Sequence, residues 1–341
     1  MSFESKLNKY NFKYLSLQKQ IGGLNLSGPA TIDYYKNDTK KIIILGEFHG
    51  NKEGICDDKK DTLEINKYIE TLFDPKVNIK FDIFVEKTIP HKWDLINNAI
   101  ITDYNDDSDY IIMIRNLLIR NYKINENKKV HFTDIRNKLL GFEQFVESGN
   151  IFDFLKHIEL DSVKLKDDYN ILNILNTRIY NSSLILLLRQ IDQFIENNEY
   201  VFTNDINLPD YLIKEMNKFQ DKILLKKLLV ILQQKIRQFL DETIFDDKTK
   251  QYKLSDIDDI INIFYMGMDV STYVNDLYTV LRIIKNDDIK NGIIYTGNSH
   301  LISLNEYLNV CGFNLITQKH NTSENTRCVK DVIPFDVFFN T

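Results

Sequence analysis

Polar residues and histidines follow short apolar runs at two distant points of the sequence. The segment "IIILGEFHG" runs from apolar residues into Glu47 and His49, and "GIIYTGNSH" runs into Asn298 and His300. A histidine held by a carboxylate can act as a general base near neutral pH. Two histidines with one or two carboxylates also match the ligand types of a divalent metal site. The two segments therefore predict a chemical site.

Two further apolar runs add charged residues to this group. The segment "NIKFDIFVEK" (78–87) leads to Glu86, and "KKVHFTDIR" (128–136) leads to Asp134 and Arg136. Ligands of open parallel sheets bind beyond the carboxyl ends of the strands, so side chains at these ends are expected to meet in one crevice. The alternative is structural, because a buried histidine is commonly a core residue and Glu86 can pair with Arg136 as an ion pair. His320 is interpreted as a surface or packing residue.

The elements that would position these residues alternate along the first half of the chain. Strands are predicted over 41–45, 78–87 and 128–136, with the helical patterns "DTLEINKYIETLF" and "DYIIMIRNLLIRNY" between them. This order is typical of parallel βαβ units. Three long helical stretches follow, and strands return at "NGIIYTGNSH" and "FNLITQKH". The sequence predicts one α/β domain over 1–341, with a central, mainly parallel sheet, flanking helices and a large helical insertion over 152–285.

Composition and charge exclude several functional classes. The 341 residues are 43% hydrophobic and 27% charged, with a net charge of −6, which is typical of a soluble globular protein and not of a nucleic-acid binder. No apolar run approaches the roughly 18 residues that a membrane helix needs. Cys56, Cys311 and Cys328 are widely spaced and form no CxxC pair, so neither a disulfide framework nor a cysteine zinc site is expected. This pattern fits an intracellular, reducing compartment.

The ordered segments "LGEFHG", "VEK", "DIR" and "TGNSH" resemble the superfamily that contains erythromycin esterases, ChaN haem-binding lipoproteins and TraB/Tiki proteins. That superfamily combines an early G-E-x-H motif, a glutamate after the next strand, an arginine and a late G-x-x-H motif. A closer resemblance is to proteins of large DNA viruses that carry "DIR", "MD…DLYTVLR" and "YTGNSH" in this order. The second resemblance implies a viral protein in the host cytoplasm or the virion. Asp276 and Arg282, in "DLYTVLR", join Asp134 and Asn298 as candidate substrate-binding residues.

The leading hypothesis is a hydrolase that acts on an ester, amide or peptide bond of a small molecule or peptide. His49 would be the general base toward water, oriented by Glu47 or Glu86, and His300 a second proton-transfer group or metal ligand. Arg136 would bind substrate charge or the developing oxyanion. If a divalent metal (Mn, Zn, Fe or Co) is bound, its expected ligands are His49 and His300 with Glu47 or Glu86.

Two other functional classes stay open. The protein is alternatively a non-catalytic virion or host-interaction protein, with the helical insertion as the surface for a protein partner and no binding to nucleic acid or membranes. An exposed apolar patch of several hundred Å² on that insertion would favour this class, whereas a deep polar crevice at the strand ends would favour the enzyme. The third class, which the ChaN branch implies, is a haem-binding protein.

Overall fold

A computed structural model of the chain describes residues 24–48, 56, 62–74, 77–88, 114, 117–118, 127–135, 178–197, 202, 210–242, 245–246, 251–252, 257–321 and 328–340. The chain divides into two compact units. The first takes 1–134, 286–302 and 312–341, and the second takes 135–285 and 303–311.

The described strands are, in chain order, β1 (Leu24–Ser27), β2 (Thr31–Lys36), β3 (Lys41–Glu47), β4 (Thr62–Glu64), β5 (Phe81–Thr88), β6 (Lys128–Asp134), β7 (Phe245–Asp246), β8 (Gln251–Tyr252), β9 (Asn291–Gly297), β10 (Asn314–His320) and β11 (Cys328–Val332). The described helices are α1 (Ile65–Leu72), α2 (Arg178–Asn197), α3 (Asp210–Lys218), α4 (Lys222–Glu242), α5 (Ile257–Lys285), α6 (His300–Val310) and α7 (Phe335–Asn340).

The first unit contains a six-stranded sheet of order β10-β2-β3-β9-β5-β6 and a three-stranded sheet of order β11-β1-β4. The pairings β3–β9, β9–β5 and β5–β6 are parallel, whereas β2 is antiparallel to both of its neighbours. The α/β character is therefore confirmed, but the sheet is mixed and the expectation of a mainly parallel sheet is wrong. The short connection explains the difference, because Asn37 accepts backbone bonds from Thr39 and Lys40 and turns β2 directly into β3 as a hairpin.

One face of the six-stranded sheet carries the apolar core of the first unit. Alternate residues of the central strands point to this face, and α1 and α7 cover it with Tyr68 and Phe335. The buried Tyr68 hydroxyl accepts the backbone N–H of Phe335 at 2.7 Å, which ties α7 to α1. The core side chains of the three central strands are Ile43, Leu45, Phe81, Ile83, Val85, Ile293 and Tyr295.

A disulfide joins Cys56 to Cys328, 272 residues apart in the sequence. Cys328 begins β11 of the small sheet, and Cys56 lies in the connection between β3 and β4. Both half-cystines are buried. The expectation that the cysteines form no disulfide is therefore wrong, and Cys311 alone keeps a thiol.

The second unit is helical in the residues that the structure describes, apart from the short β7–β8 pair. Every residue of α5 from Val270 to Leu281 is buried, which is typical of a helix enclosed on all sides. Residues 210–242 contain two helices, α3 and α4, and Asp221 caps the start of α4 by accepting the backbone N–H of Leu224. Within the described parts of the chain, no helix is long and apolar enough to cross a membrane.

Candidate functional site

A single row of residues crosses five strands of the large sheet near its carboxyl edge. In register, His320 of β10 lies opposite Thr31 of β2, Thr31 opposite Gly46 of β3, and Gly46 opposite Thr296 of β9. The row continues into β5, because the Thr296 hydroxyl donates to Glu86 at 2.8 Å. Strands β10, β3, β9, β5 and β6 all run in one direction, so their carboxyl ends share this edge. This edge is where the sequence predicts the site.

Glu86 and His300 form a buried carboxylate–imidazole pair at this edge. The Nε2 atom of His300 lies 3.1 Å from Oε1 of Glu86, and the two side chains are 1% and 3% exposed. The other carboxylate oxygen, Oε2, accepts the hydroxyl of Thr296 and the N–H of Gly297, the latter at 2.6 Å. Hydrogen bonds to both oxygens make burial of this carboxylate tolerable. The structure therefore brings together two of the candidate site residues, the strand-end Glu86 and the late His300.

The local sequence explains how this pair is assembled. β9 ends at Gly297 and α6 begins at His300, so only Asn298 and Ser299 separate the strand from the helix. Glu86 bonds Nε2 of His300, and any proton exchanged between His300 and a ligand therefore has to pass through Nδ1. A carboxylate in this position fixes the orientation of the ring and stabilises the imidazolium form.

Glu47 lies on the opposite face of the sheet from Glu86. Val85 and Leu45 are both in register with Tyr295, and side chains alternate along each strand, so Glu47 shares the Tyr295 face whereas Glu86 does not. The buried Glu47 carboxylate accepts the Tyr295 hydroxyl accordingly. The structure therefore separates the two glutamates that the sequence groups together.

Two of the expected catalytic residues, His49 and Arg136, lie outside the described residues. The carboxylate expected next to Arg136, Asp134, is the last residue of β6, and it is partly exposed opposite Thr88 of β5. The roles of His49 and Arg136 stay predictions.

Asn298 is held directly beside Gly46. The Thr31 hydroxyl donates to Oδ1 of Asn298 at 3.0 Å, and the backbone N–H of Asn298 donates to the carbonyl of Glu47 at 2.7 Å. A Cβ at position 46 would lie 2.9 Å from Oδ1 of Asn298 and 3.0 Å from Cδ1 of Leu301. Only glycine leaves room for this approach.

His320 joins the same group of residues, with Nδ1 lying 3.5 Å from Oγ1 of Thr31. His320 is exposed, which agrees with its interpretation as a surface or packing residue, but its place in this row of residues was not predicted. One indication of this position was available in the sequence, since His320 is the last residue of the strand β10, as Glu47 is of β3.

His131 provides a contrast on the same face of the sheet as Glu86. Its Nε2 lies 2.7 Å from Oδ1 of the buried Asp82, and its ring stacks on Phe84 with centroids 4.5 Å apart. This pair lies in the middle of β5 and β6 rather than at their ends, so His131 packs within the sheet face and lies away from the carboxyl edge.

The candidates Asp276 and Arg282 belong to α5 in the second unit. Asp276 is buried and accepts the hydroxyl of Ser303, while Arg282 donates to the hydroxyl of Tyr278 at 3.2 Å. Burial raises the pKa of Tyr278, and the Arg282 guanidinium opposes that rise. Both candidates are thus engaged within their own unit, and a contact with substrate stays a prediction.

No three His, Cys, Asp or Glu side chains among the described residues come together in a way that could hold a metal ion. Of the four expected ligands, Glu47 lies across the sheet from Glu86, and His300 points its Nε2 at Glu86. His49 is outside the described residues. A divalent metal therefore stays a prediction that depends on His49.

No family model, no curated protein and no solved structure matches this chain. The resemblance to the erythromycin esterase, ChaN and TraB/Tiki superfamily stays a prediction. What the site does has to be argued from the geometry of Glu86, His300, Asn298 and their neighbours.

Proposed function

We propose that this protein is a hydrolase of an ester, amide or peptide bond, with His300 as a proton-transfer group that Glu86 orients. The observation that carries the proposal is the Glu86–His300 pair at the carboxyl edge of the sheet, with Glu86 fixed by Thr296 and Gly297. Carboxylate–imidazole pairs of this kind recur where an enzyme moves a proton to or from a reacting oxygen. The resemblance of "LGEFHG" and "TGNSH" to the esterase superfamily supports the same class.

The chemistry assigned to these groups is proton transfer around one carbonyl carbon. His49 takes a proton from water as the water oxygen bonds to the carbonyl carbon, and Arg136 binds the oxyanion. The imidazolium of His300, which the Glu86 carboxylate stabilises, gives its proton to the leaving alcohol or amine as the bond between that group and the carbonyl carbon breaks. His49 then releases its proton to solvent and His300 takes one up, which restores both imidazoles.

The experiment is hydrolysis of p-nitrophenyl acetate and of a chromogenic peptide amide by the wild type, His300→Gln and Glu86→Gln. The two substitutions should reduce the rate by about 10²- to 10⁴-fold, the usual contribution of general acid–base catalysis. His131→Gln is the matched control, since it breaks another carboxylate–histidine pair, partly buried, in the same sheet. The proposal would be refuted if the folded His300→Gln and Glu86→Gln variants hydrolyse at the wild-type rate. It would also be refuted if the wild type hydrolyses neither substrate.

The burial of the pair favours a second candidate, the non-catalytic interaction protein. With 1% of the His300 side chain and 3% of the Glu86 side chain exposed, the pair also serves to fasten the start of α6 to β5. The partner surface would then lie on the second unit, where Leu186, Tyr211 and Ile223 are exposed on three different helices. For this candidate, both variants lower the melting temperature while the wild type hydrolyses nothing. Haem binding is the third candidate, and a haem titration that produces no Soret band would dismiss it.

A further inference from the structure

Asn298 carries two N–H donors that no described residue uses. The Thr31 hydroxyl donates to Oδ1 of Asn298, which assigns the two N–H bonds to the other end of the carboxamide, Nδ2. Across the described residues, Nδ2 has no hydrogen-bond acceptor. Asn298 is partly exposed, and it follows β9 at the carboxyl edge of the sheet. These two N–H bonds are therefore candidate donors to a ligand.

The position of Asn298 is fixed from three directions. Its backbone N–H donates to Glu47, its backbone carbonyl accepts the N–H of Leu301 at 3.3 Å, and its side chain is held by Thr31. The missing side chain of Gly46 provides the space that it occupies. Donors that are held in place before a ligand arrives bind a developing negative charge better than donors that must reorganise.

His320 extends this arrangement beyond Thr31. The Thr31 hydroxyl donates its proton to Oδ1 of Asn298, so toward His320 the Thr31 oxygen can only accept. The donor is then Nδ1 of His320, which has to carry a proton. His320 is exposed, and the buried carboxylate of Asp33 lies on the same face, where it accepts from Gln318 at 3.1 Å. The protonated form of His320 carries a second N–H donor, at Nε2, and a positive charge.

We propose that Asn298 and His320 bind the carboxylate, or the oxyanion that precedes it, of an ester, amide or peptide substrate, with Thr31 as the positioning residue between them. Both groups reach within 3.5 Å of one atom, Oγ1 of Thr31. The inference rests on the proposed function, since a carboxylate is the product of that hydrolysis. It adds to the site two residues, Thr31 and His320, that the Glu86–His300 pair does not require.

The test measures acetate binding by the full chain, followed through the side-chain amide resonances of Asn298 in an NMR titration at constant ionic strength. Saturable shifts are expected in the wild type, and Asn298→Leu should abolish the binding. Thr31→Val should weaken binding about five- to tenfold, because one orienting hydrogen bond is lost. Thr31→Ser keeps the hydroxyl and should restore most of the affinity. The matched control is Thr317→Val, since Thr317 lies opposite Tyr34 rather than Thr31.

An absence of acetate binding in the wild type would overturn the inference, as would equal affinities of the wild type and the folded Thr31→Val variant. The hydrolysis assay separates this failure from that of the proposed function. Acetate binding that depends on Thr31, in a protein that hydrolyses nothing, supports the site and refutes the hydrolase. Hydrolysis that depends on His300, with acetate affinity and KM unchanged in Thr31→Val, supports the hydrolase and refutes the site.

Discussion

Removal of the Cys56–Cys328 disulfide should strongly destabilise the first unit. The two cysteines are separated by 272 residues, and both are buried beside the small β11-β1-β4 sheet. The informative variant is Cys56→Ala/Cys328→Ala. Cys311→Ala is the matched control, because Cys311 lies outside the disulfide and burial raises the pKa of its thiol to about 12.

The magnitude follows from the length of the loop that the disulfide closes. For a separation of 272 residues, loop-closure entropy alone stabilises the folded state by about 5 to 6 kcal/mol. Residual structure in the unfolded chain usually reduces this gain, so we expect a loss of about 3 to 5 kcal/mol in the free energy of unfolding. A loss of this size lowers the melting temperature of a domain on the order of 10 °C.

Urea unfolding of both variants and the wild type, with and without a dithiol reductant, measures this loss. The reductant should lower the stability of the wild type and of the Cys311→Ala control, and should leave the double variant unchanged. The stabilising role of the disulfide would be refuted if the double variant is as stable as the wild type. It would also be refuted if the reductant does not change the stability of the wild type after unfolding and refolding. Mass spectrometry after thiol alkylation shows directly whether one thiol or three are present.

Other positions give further expectations. Burial raises the pKa of the Asp33 carboxyl above its usual 3.8, so wild-type stability should fall as the pH rises through the higher, folded-state pKa. Asp33→Asn should therefore stabilise the protein near pH 7 and lose this advantage toward about pH 4. Urea unfolding of both proteins across this pH range measures the difference in their free energies of unfolding. A difference that does not change with pH would contradict a raised pKa of Asp33. Tyr68→Phe leaves the buried N–H of Phe335 without its acceptor and should destabilise the protein by about 1 to 3 kcal/mol, whereas an unchanged denaturation midpoint would show that the bond is replaced. Gly46→Ala places a methyl group 2.9 Å from Oδ1 of Asn298 and should weaken acetate binding at least about tenfold. The same NMR titration measures this affinity, and an unchanged affinity in the variant would argue against a fixed position of Asn298.

The apolar runs of the sequence predicted the strands that point at the candidate site, because these strands are buried and therefore apolar without interruption. The strand β2 was missed, since Asp33 interrupts its pattern with a residue that is typical of turns, although here it is buried. The strand β4 was also missed, because Leu63 fits the helical pattern that α1 continues from Ile65. Local patterns identify buried strands well and identify short or polar ones poorly.

The face on which each candidate side chain lies could not be predicted. Glu47 and Glu86 both stand near the end of a buried strand, and only their register with Tyr295 of β9 places them on opposite faces. Register depends on how strands distant in sequence pack together, which no local pattern records. The Cys56–Cys328 bond was missed for the same reason, since the 4.9 Å that separates the two Cα atoms is a property of the folded chain.

The place of β9 between β3 and β5 has a consequence for how the protein is made. About 200 residues separate β5 from β9, and at the usual rate of synthesis they take on the order of ten to forty seconds to emerge from the ribosome. During that time β3 and β5 exist without the strand that joins them, each with an open edge of backbone hydrogen-bond donors and acceptors. We expect the nascent chain to depend on chaperones during this interval, and fragments that end before residue 291 to aggregate.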